Sequence, residues 1–439
     1  MCPSSVGEDR RKSAVFDDVV PKFTRFRGKS GALSLLNPPI SSFFRGVMNG
    51  KRKAWAVMIV VFVASIVVAA NRFKVPPVMP VLMDELQVDM VTGGWLMSVS
   101  SVAGIILAIP AAFLLSKLGL KTTGLVALGC VAAGAVVGAL STNAATLLLG
   151  GMIEGVGASL IAIVAPTAIS MWFAPQERGL PMGIWAAWVP VGNVIIFNIA
   201  HPLLSSFGWR SVWWFGASLA LGVLVLYALI VTAPQRSGQR EQTPPGSFGR
   251  MLLNPSSWLL GLAFGAFGFS LIGYNTWATS FLTETLSINA ASASFYASLM
   301  FLAAIPVNVA AGWMVTRIKN RHSLLPVAFL IMGILFFWSF RLKSVDVVAP
   351  YMIALGIVSN FIPAIIFTLA PEAMPSLEFA GLSLAIVMAS SGIGTLAGPP
   401  VLGAILNTGS WIAGSVCLVI VTGIGTIIAW FVSRRLRAK

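Results

Sequence analysis

Ala112-Phe113-Leu114-Leu115-Ser116-Lys117-Leu118-Gly119-Leu120-Lys121 ends one long apolar segment, and Gly312-Trp313-Met314-Val315-Thr316-Arg317-Ile318-Lys319-Asn320-Arg321 ends another. Each copy sets a small residue, then two cations four positions apart, where a hydrophobic helix would leave a bilayer. The chain therefore reads as a membrane protein built twice.

Composition agrees. With 57% hydrophobic residues and 10% charged, and a mean hydropathy of +0.88, there is too little polar surface to coat a soluble globule of this length. The net charge of +15 does not indicate nucleic acid, because 11 of the 29 basic residues precede Trp55 and most others flank apolar runs. Cys2, Cys130 and Cys417 are too few and scattered for a disulfide framework or a metal site, and no cofactor is expected.

Apolar runs of about 20 residues, the length needed to cross roughly 30 Å of hydrocarbon, number twelve, the first near 55–82 and the last near 410–433. The expected class is an all-α integral membrane protein, its twelve transmembrane helices grouped as two six-helix bundles. The polar break containing Pro244, Pro245 and Gly246 divides six spans from six. The expected organisation is a basic, disordered N-terminal arm at 1–54, one bundle at 55–233, a linker at 234–256, a second bundle at 257–433 and a basic tail at 434–439. No apolar core precedes Trp55, so the arm is not read as a signal peptide.

Lys and Arg fall on the loops that share a side with the N-terminus: Lys117, Lys121, Arg178, Arg236, Arg240, Arg250, Arg317 and Arg321, then the tail. Asp84, Glu85, Asp89 and Glu284 fall on the other. The bias predicts a multi-pass protein of the plasma (inner) membrane with both termini cytoplasmic. A second echo, Pro175-Gln176-Glu177-Arg178-Gly179 against Pro375-Ser376-Leu377-Glu378-Phe379-Ala380-Gly381, strengthens the duplication. Two parallel halves imply a substrate site near the midplane between them, exposed alternately as one half rocks over the other.

These loops resemble the signature that follows the second span in the major facilitator superfamily, roughly Gly-x3-Asp-Arg-x-Gly-Arg-Arg, and the resemblance runs from about Trp55 to Arg437. It implies the major facilitator fold. It also implies a cytoplasmic latch, here Ser116, Lys117, Gly119 and Lys121 in one copy and Gly312, Thr316, Arg317 and Arg321 in the other. Ser116 and Thr316 stand where the family has an acid, so a hydroxyl must replace the ion pair. Glu154-Gly155-Val156-Gly157 is similar to the glycine pattern of the family's fourth span, with Gly151 in place of its arginine. Asn71-Arg72-Phe73-Lys74-Val75-Pro76-Pro77 and Tyr274-Asn275-Thr276-Trp277, with Ile305-Pro306, resemble the cyanate and nitroimidazole permease branch.

Polar groups at membrane depth are costly unless paired or facing a cavity. Arg72 lies roughly 25 Å along the first span and Glu154 roughly 14 Å down the fourth from the opposite face, at 1.5 Å per residue, so the two approach in depth and either pair or share a ligand. Arg72 reads as an anion-binding guanidinium or as an interfacial side chain; Lys74, nearer the surface, reads as one that snorkels. Glu154 is either a proton-coupling carboxyl or a structural partner of a neighbour. Asn71, Asn193, Asn275, Asn308 and Asn360, with Tyr274, Trp277 and Trp188, complete the candidate substrate site, although each Asn also suits helix-to-helix bonding.

The function expected is secondary active transport of a small organic or inorganic anion, proton-coupled, by a monomer in the lipid bilayer. Proton-driven efflux of a hydrophobic compound is the alternative. A transporter-like receptor or sensor would need a longer signalling segment than these loops supply, and two histidines with one deep carboxylate make no catalytic set.

Overall fold

A computed structural model describes residues 40–107, 110–232, 254–318, 321–374 and 380–437. The expected N-terminal arm up to residue 39, most of the linker, the loop at 375–379 and the last two residues lie outside the described residues.

The first half comprises α1 Ile40–Arg72, α2 Met79–Glu85, α3 Met90–Ser98, α4 Ser100–Leu107, α5 Pro110–Ala139, α6 Ala144–Trp172, α7 Gly179–Ala186, α8 Trp188–Phe207 and α9 Arg210–Ile230. The second comprises α10 Pro255–Leu286, α11 Ala290–Arg317, α12 Leu324–Trp338, α13 Val348–Ala373, α14 Ala380–Leu406 and α15 Trp411–Arg437. Without water in the hydrocarbon, backbone groups must bond within their own segment, which leaves helix as the one open-ended solution. Ten of these segments are long and apolar enough to cross a membrane, and an eleventh is the pair α3 and α4, bent by 42°. Against the expected twelve, the described residues give ten clear spans and one bent pair, with α12, at 15 residues, a shorter apolar helix.

Local chemistry sets the breaks. Gly119 has φ +76° inside α5, a left-handed conformation that a residue with a Cβ adopts at a cost, so the second span turns directly into the third there. The first span is discontinuous: α1 stops at Arg72, Pro76–Val78 form a 3-10 turn, and α2 follows. Pro76 and Pro77 carry no amide hydrogen, so two donors are missing where the helix would continue. Asp89 caps α3 by accepting from the Thr92 amide at 2.9 Å, and Asn289 caps α11 by accepting from Ser292 at 2.8 Å. The same device opens the second span and the eighth, a structural echo of the duplication.

The described residues from Lys51 onward form one unit. Within the halves α5 packs on α6 and α9, and α10 on α14 and α15; between them α3 and α4 lie on α14, and α8 lies on α11. Leu221, Val225 and Leu229 form an exposed apolar stripe on α9, as do Ile420, Ile424, Ile427 and Phe431 on α15. Spacing of three and four puts each stripe on one helix face, the surface that lipid covers.

The halves are sealed at the end opposite the basic loops, the far end. Thr279 Oγ1 donates to the Pro76 carbonyl at 2.7 Å and the Met90 amide to Asn407 Oδ1 at 3.2 Å, and the Trp277 ring lies where a Cβ on Gly93 would come within 3.2 Å of it. Asn407 Nδ2 donates to Asp89 Oδ2 at 3.3 Å. The seam is backbone against backbone: a Cβ on Gly94 would stand 2.5 Å from the Pro399 carbonyl oxygen, and one on Gly403 would strike Met90.

Candidate functional site

The end of α1 carries the two cations buried deepest in the first half, and they face opposite ways. α1 ends at Arg72 and the chain breaks at residue 73, so Lys74 leaves the backbone in a different direction from the last helical side chain. Lys74 accordingly shares its surroundings with Asn71, and Arg72 points elsewhere.

Lys74 is 1% exposed. Its ammonium donates to Glu154 Oε1 at 2.6 Å and to Asn71 Oδ1 at 3.1 Å, and lies 5.0 Å from the centre of the Trp213 ring. Asn71 is held in turn by donating to the Val67 carbonyl at 3.0 Å and the Gly216 carbonyl at 3.3 Å. Two glycines make the room: a Cβ on Gly216 would collide with the Asn71 amide, and one on Gly134 would stand 2.7 Å from Glu154 Cγ. This pocket lies among α1, α5, α6 and α9, inside the first bundle. Two expectations are corrected here. Glu154 pairs with Lys74, not with Arg72, and Lys74 does not snorkel, because the chain breaks at residue 73 and turns its side chain into the bundle.

Arg72 is half-buried at the interface between the halves. Its Nη2 donates to Ser101 Oγ at 3.1 Å, and Ser101 Oγ also accepts from Thr395 Oγ1 of α14 at 3.2 Å. Phe73, beside it, meets Phe301 of α11 at 6.4 Å between ring centres, and Phe301 meets Phe197 of α8 at 5.5 Å. The guanidinium Nε is buried without a hydrogen-bond partner. No acid is bonded to Arg72 among the described residues, so its charge is uncompensated.

The other candidates divide. Tyr274 sits inside the second bundle, against Phe336, Phe340 and Tyr351 and 3.6 Å from Met352 Sδ, so it packs with core aromatics away from Arg72. Trp277 belongs to the far-end seam. Asn360 donates back to the Gly356 carbonyl of its own helix at 2.8 Å. Asn193 and Asn275 are buried with both amide atoms unbonded, and Asn308 is half-buried. Trp188 stacks on Trp185 at 6.1 Å. Asn71, Tyr274, Trp277, Trp188 and Asn360 thus each have partners other than Arg72.

In the basic loops, Ser116, Lys117 and Gly119 are exposed and Lys121 is half-buried. Ser116 Oγ donates to the Phe113 carbonyl of its own helix at 2.8 Å, Lys117 lies 4.5 Å from the centre of the Phe113 ring, and Arg317 is exposed. The side chains of Gly312, Thr316 and Arg321 lie outside the described residues. Sequence reading passed over Ser101 and Thr395. The one signal was the polar run Ser98, Ser100 and Ser101 inside an apolar span, with nothing to show which hydroxyl meets the other half.

The model of the family described as Major Facilitator Superfamily matches residues 61–376 and, in a second placement, 262–439. The cyanate transport protein CynX of Escherichia coli (strain K12) is 29% identical over 195 residues, 44% of this chain and 48% of that protein. The probable sulfoacetate transporter SauU of Cupriavidus necator is 24% identical over 190 residues, 40% of this chain and 44% of that one. The aligned part of this chain spans just under half the length of each. The crystal structure of a bacterial homologue of the human lysosomal transporter Spinster, inward-facing and unoccupied, shares the fold with a TM-score of 0.74 at 16% identity, over 87% of this chain and 97% of that one.

Proposed function

This chain belongs to the Major Facilitator Superfamily, and from that premise we propose that it is a secondary active transporter of a small organic or inorganic anion, which binds at Arg72. One observation carries the reading: a guanidinium at the interface of the halves, with a buried donor unbonded and no acid to neutralise it. A buried cation without a counter-ion is costly, and a mobile anion supplies what the fold withholds. The partial likeness to proteins named for cyanate and sulfoacetate transport supports the same charge class. Sealing at the far end matches a state in which the anion meets Arg72 from the side of the basic loops, taken as the cytoplasm of a plasma-membrane protein acting as a monomer.

Coupling to protons is assigned to Glu154. A proton reaching its carboxylate removes the charge that holds Lys74, and the released ammonium changes how the end of α1 is held. Glu154→Gln should transport without acceleration by an imposed proton gradient while keeping anion exchange, which needs no net proton movement. Acceleration equal to that of the unmodified protein would sink the assignment.

The anion assignment is tested by uptake of labelled cyanate and sulfoacetate into proteoliposomes. Arg72→Lys keeps the charge but loses the planar pair of donors, and half-saturation should rise about tenfold, the effect of losing one charge-assisted bond. Arg72→Ala should abolish saturable uptake. Unchanged half-saturation in both variants would dismiss Arg72 as the binding group.

A further inference from the structure

We infer that Ser101 and Thr395 are positioning residues that make the anion site at Arg72 depend on closure of the far end. The inference rests on the reading of Arg72 given above and adds what regulates that site.

Three atoms from both halves form a chain. Arg72 Nη2 donates to Ser101 Oγ at 3.1 Å, and Thr395 Oγ1 donates to the same oxygen at 3.2 Å. Thr395 is itself fixed. Its hydroxyl also lies 3.0 Å from the Gly392 carbonyl oxygen, and its methyl lies where a Cβ on Gly268 would come within 3.0 Å. A β-branched residue has few side-chain states open to it, and with the methyl seated at Gly268 the hydroxyl is directed at Ser101.

The consequence is a matched set of donors. Ser101 Oγ accepts from Arg72 and shares the single Thr395 hydrogen with the Gly392 carbonyl, so its own hydrogen remains for a third group. In a guanidinium, Nε and Nη2 share one edge, and here Nη2 is on Ser101 while Nε is buried and unbonded. An acceptor on Nε therefore lies beside the Ser101 hydroxyl. Two donors side by side suit an anion with two oxygens on one atom, a carboxylate or sulfonate, better than a linear ion with one terminal atom at each end. Ser101 is 5% exposed, so both donors act where water competes little.

Thr395 rides on α14, and α14 is the helix that α3 meets at the far-end seam. When the halves part there, Thr395 leaves with its own half. Ser101 then loses the donor that orients it, Arg72 loses its anchor, and anion affinity falls. Affinity is thus linked to the conformational state.

The test uses the full chain in vesicles of both orientations, with sulfoacetate and cyanate as probes and thermal melting as a folding check. Thr395→Val keeps the branched shape and the methyl at Gly268 and replaces the hydroxyl with a second methyl. Half-saturation for sulfoacetate measured from the basic-loop face should rise about tenfold, that from the far face should stay within about twofold, and cyanate should be affected less. Thr395→Ser should restore the unmodified values. Half-saturation unchanged from both faces, or an equal loss with Thr395→Ser, overturns the inference while Arg72→Ala still abolishes uptake. Saturable uptake by Arg72→Ala, or none of either probe by the unmodified protein, overturns the anion reading beneath it.

Discussion

At Lys74 the energetics follow from burial on both sides of the pair. The side chains of Lys74 and Glu154 are 2% and 8% exposed, so each charge has given up its water and depends on the other. Taking one away strands its partner, at a cost of about 3–5 kcal/mol, whereas exchanging both for apolar groups of similar volume is often neutral. Lys74→Met should therefore melt well below the unmodified protein, and Lys74→Met with Glu154→Leu should recover most of the loss. Equal melting of Lys74→Met and the unmodified protein would show that the pair contributes nothing. Helical spacing could not show the pairing, since α1 ends at Arg72 and Lys74 follows the break at residue 73. Depth alone, which ranks Arg72 and Glu154 as neighbours, hides it, because depth carries no information about rotation around the helix.

At the level of elements, the seam of α3 on α14 is where close approach decides behaviour. Gly94→Ala places a carbon against the Pro399 carbonyl that neither backbone can easily avoid, and overpacking of this kind costs about 1–3 kcal/mol. The far end should open more often. Thiol labelling of the Ala278→Cys variant, in a background lacking Cys2, Cys130 and Cys417, should speed up by about tenfold, while Gly222→Ala, with nothing within 4 Å, should leave it unchanged. Equal labelling in both variants would remove the seam from the gate. The cap of α3 adds a pH dependence. Hydrogen bonds from the Thr92 side chain and amide, then from Asn407, hold the Asp89 carboxyl below its ordinary value. Its contribution is then fully present above the ordinary carboxylate range, about pH 4, and is lost as pH falls through the lowered value. Acidifying the far side below about pH 4 should speed labelling of the same Ala278→Cys reporter relative to a fully exposed cysteine at the same pH, which corrects for the falling thiolate fraction, and Asp89→Asn should flatten that response.

For the whole molecule, the architecture was legible because lipid leaves few choices. A run of apolar residues of the right length in hydrocarbon is a helix, and the paired loops at Lys117 and Arg317 mark two copies of one unit. The broken spans were less legible. Pro76 and Pro77 announce the first break, but the bend at Val99 between α3 and α4 has no Gly or Pro at that position and arises where these helices bend along α14. The site was least legible of all. Arg72 stands out as a charge in the wrong solvent, whereas Ser101 and Thr395 are ordinary hydroxyls until two halves, 294 positions apart in the chain, are laid together.

The residues lining the seam have a consequence for the rate at which such a protein can cycle. Gly94, Gly403, Pro399 and Pro400 have no side-chain rotamers to lose, so each closing there orders almost nothing beyond the two rigid halves themselves. Prolines also present no amide hydrogen to be orphaned when the faces separate. A gate made this way has little entropy to surrender on shutting and little to regain on opening. Its two states can lie close in free energy, and a single bound ion is then enough to decide between them.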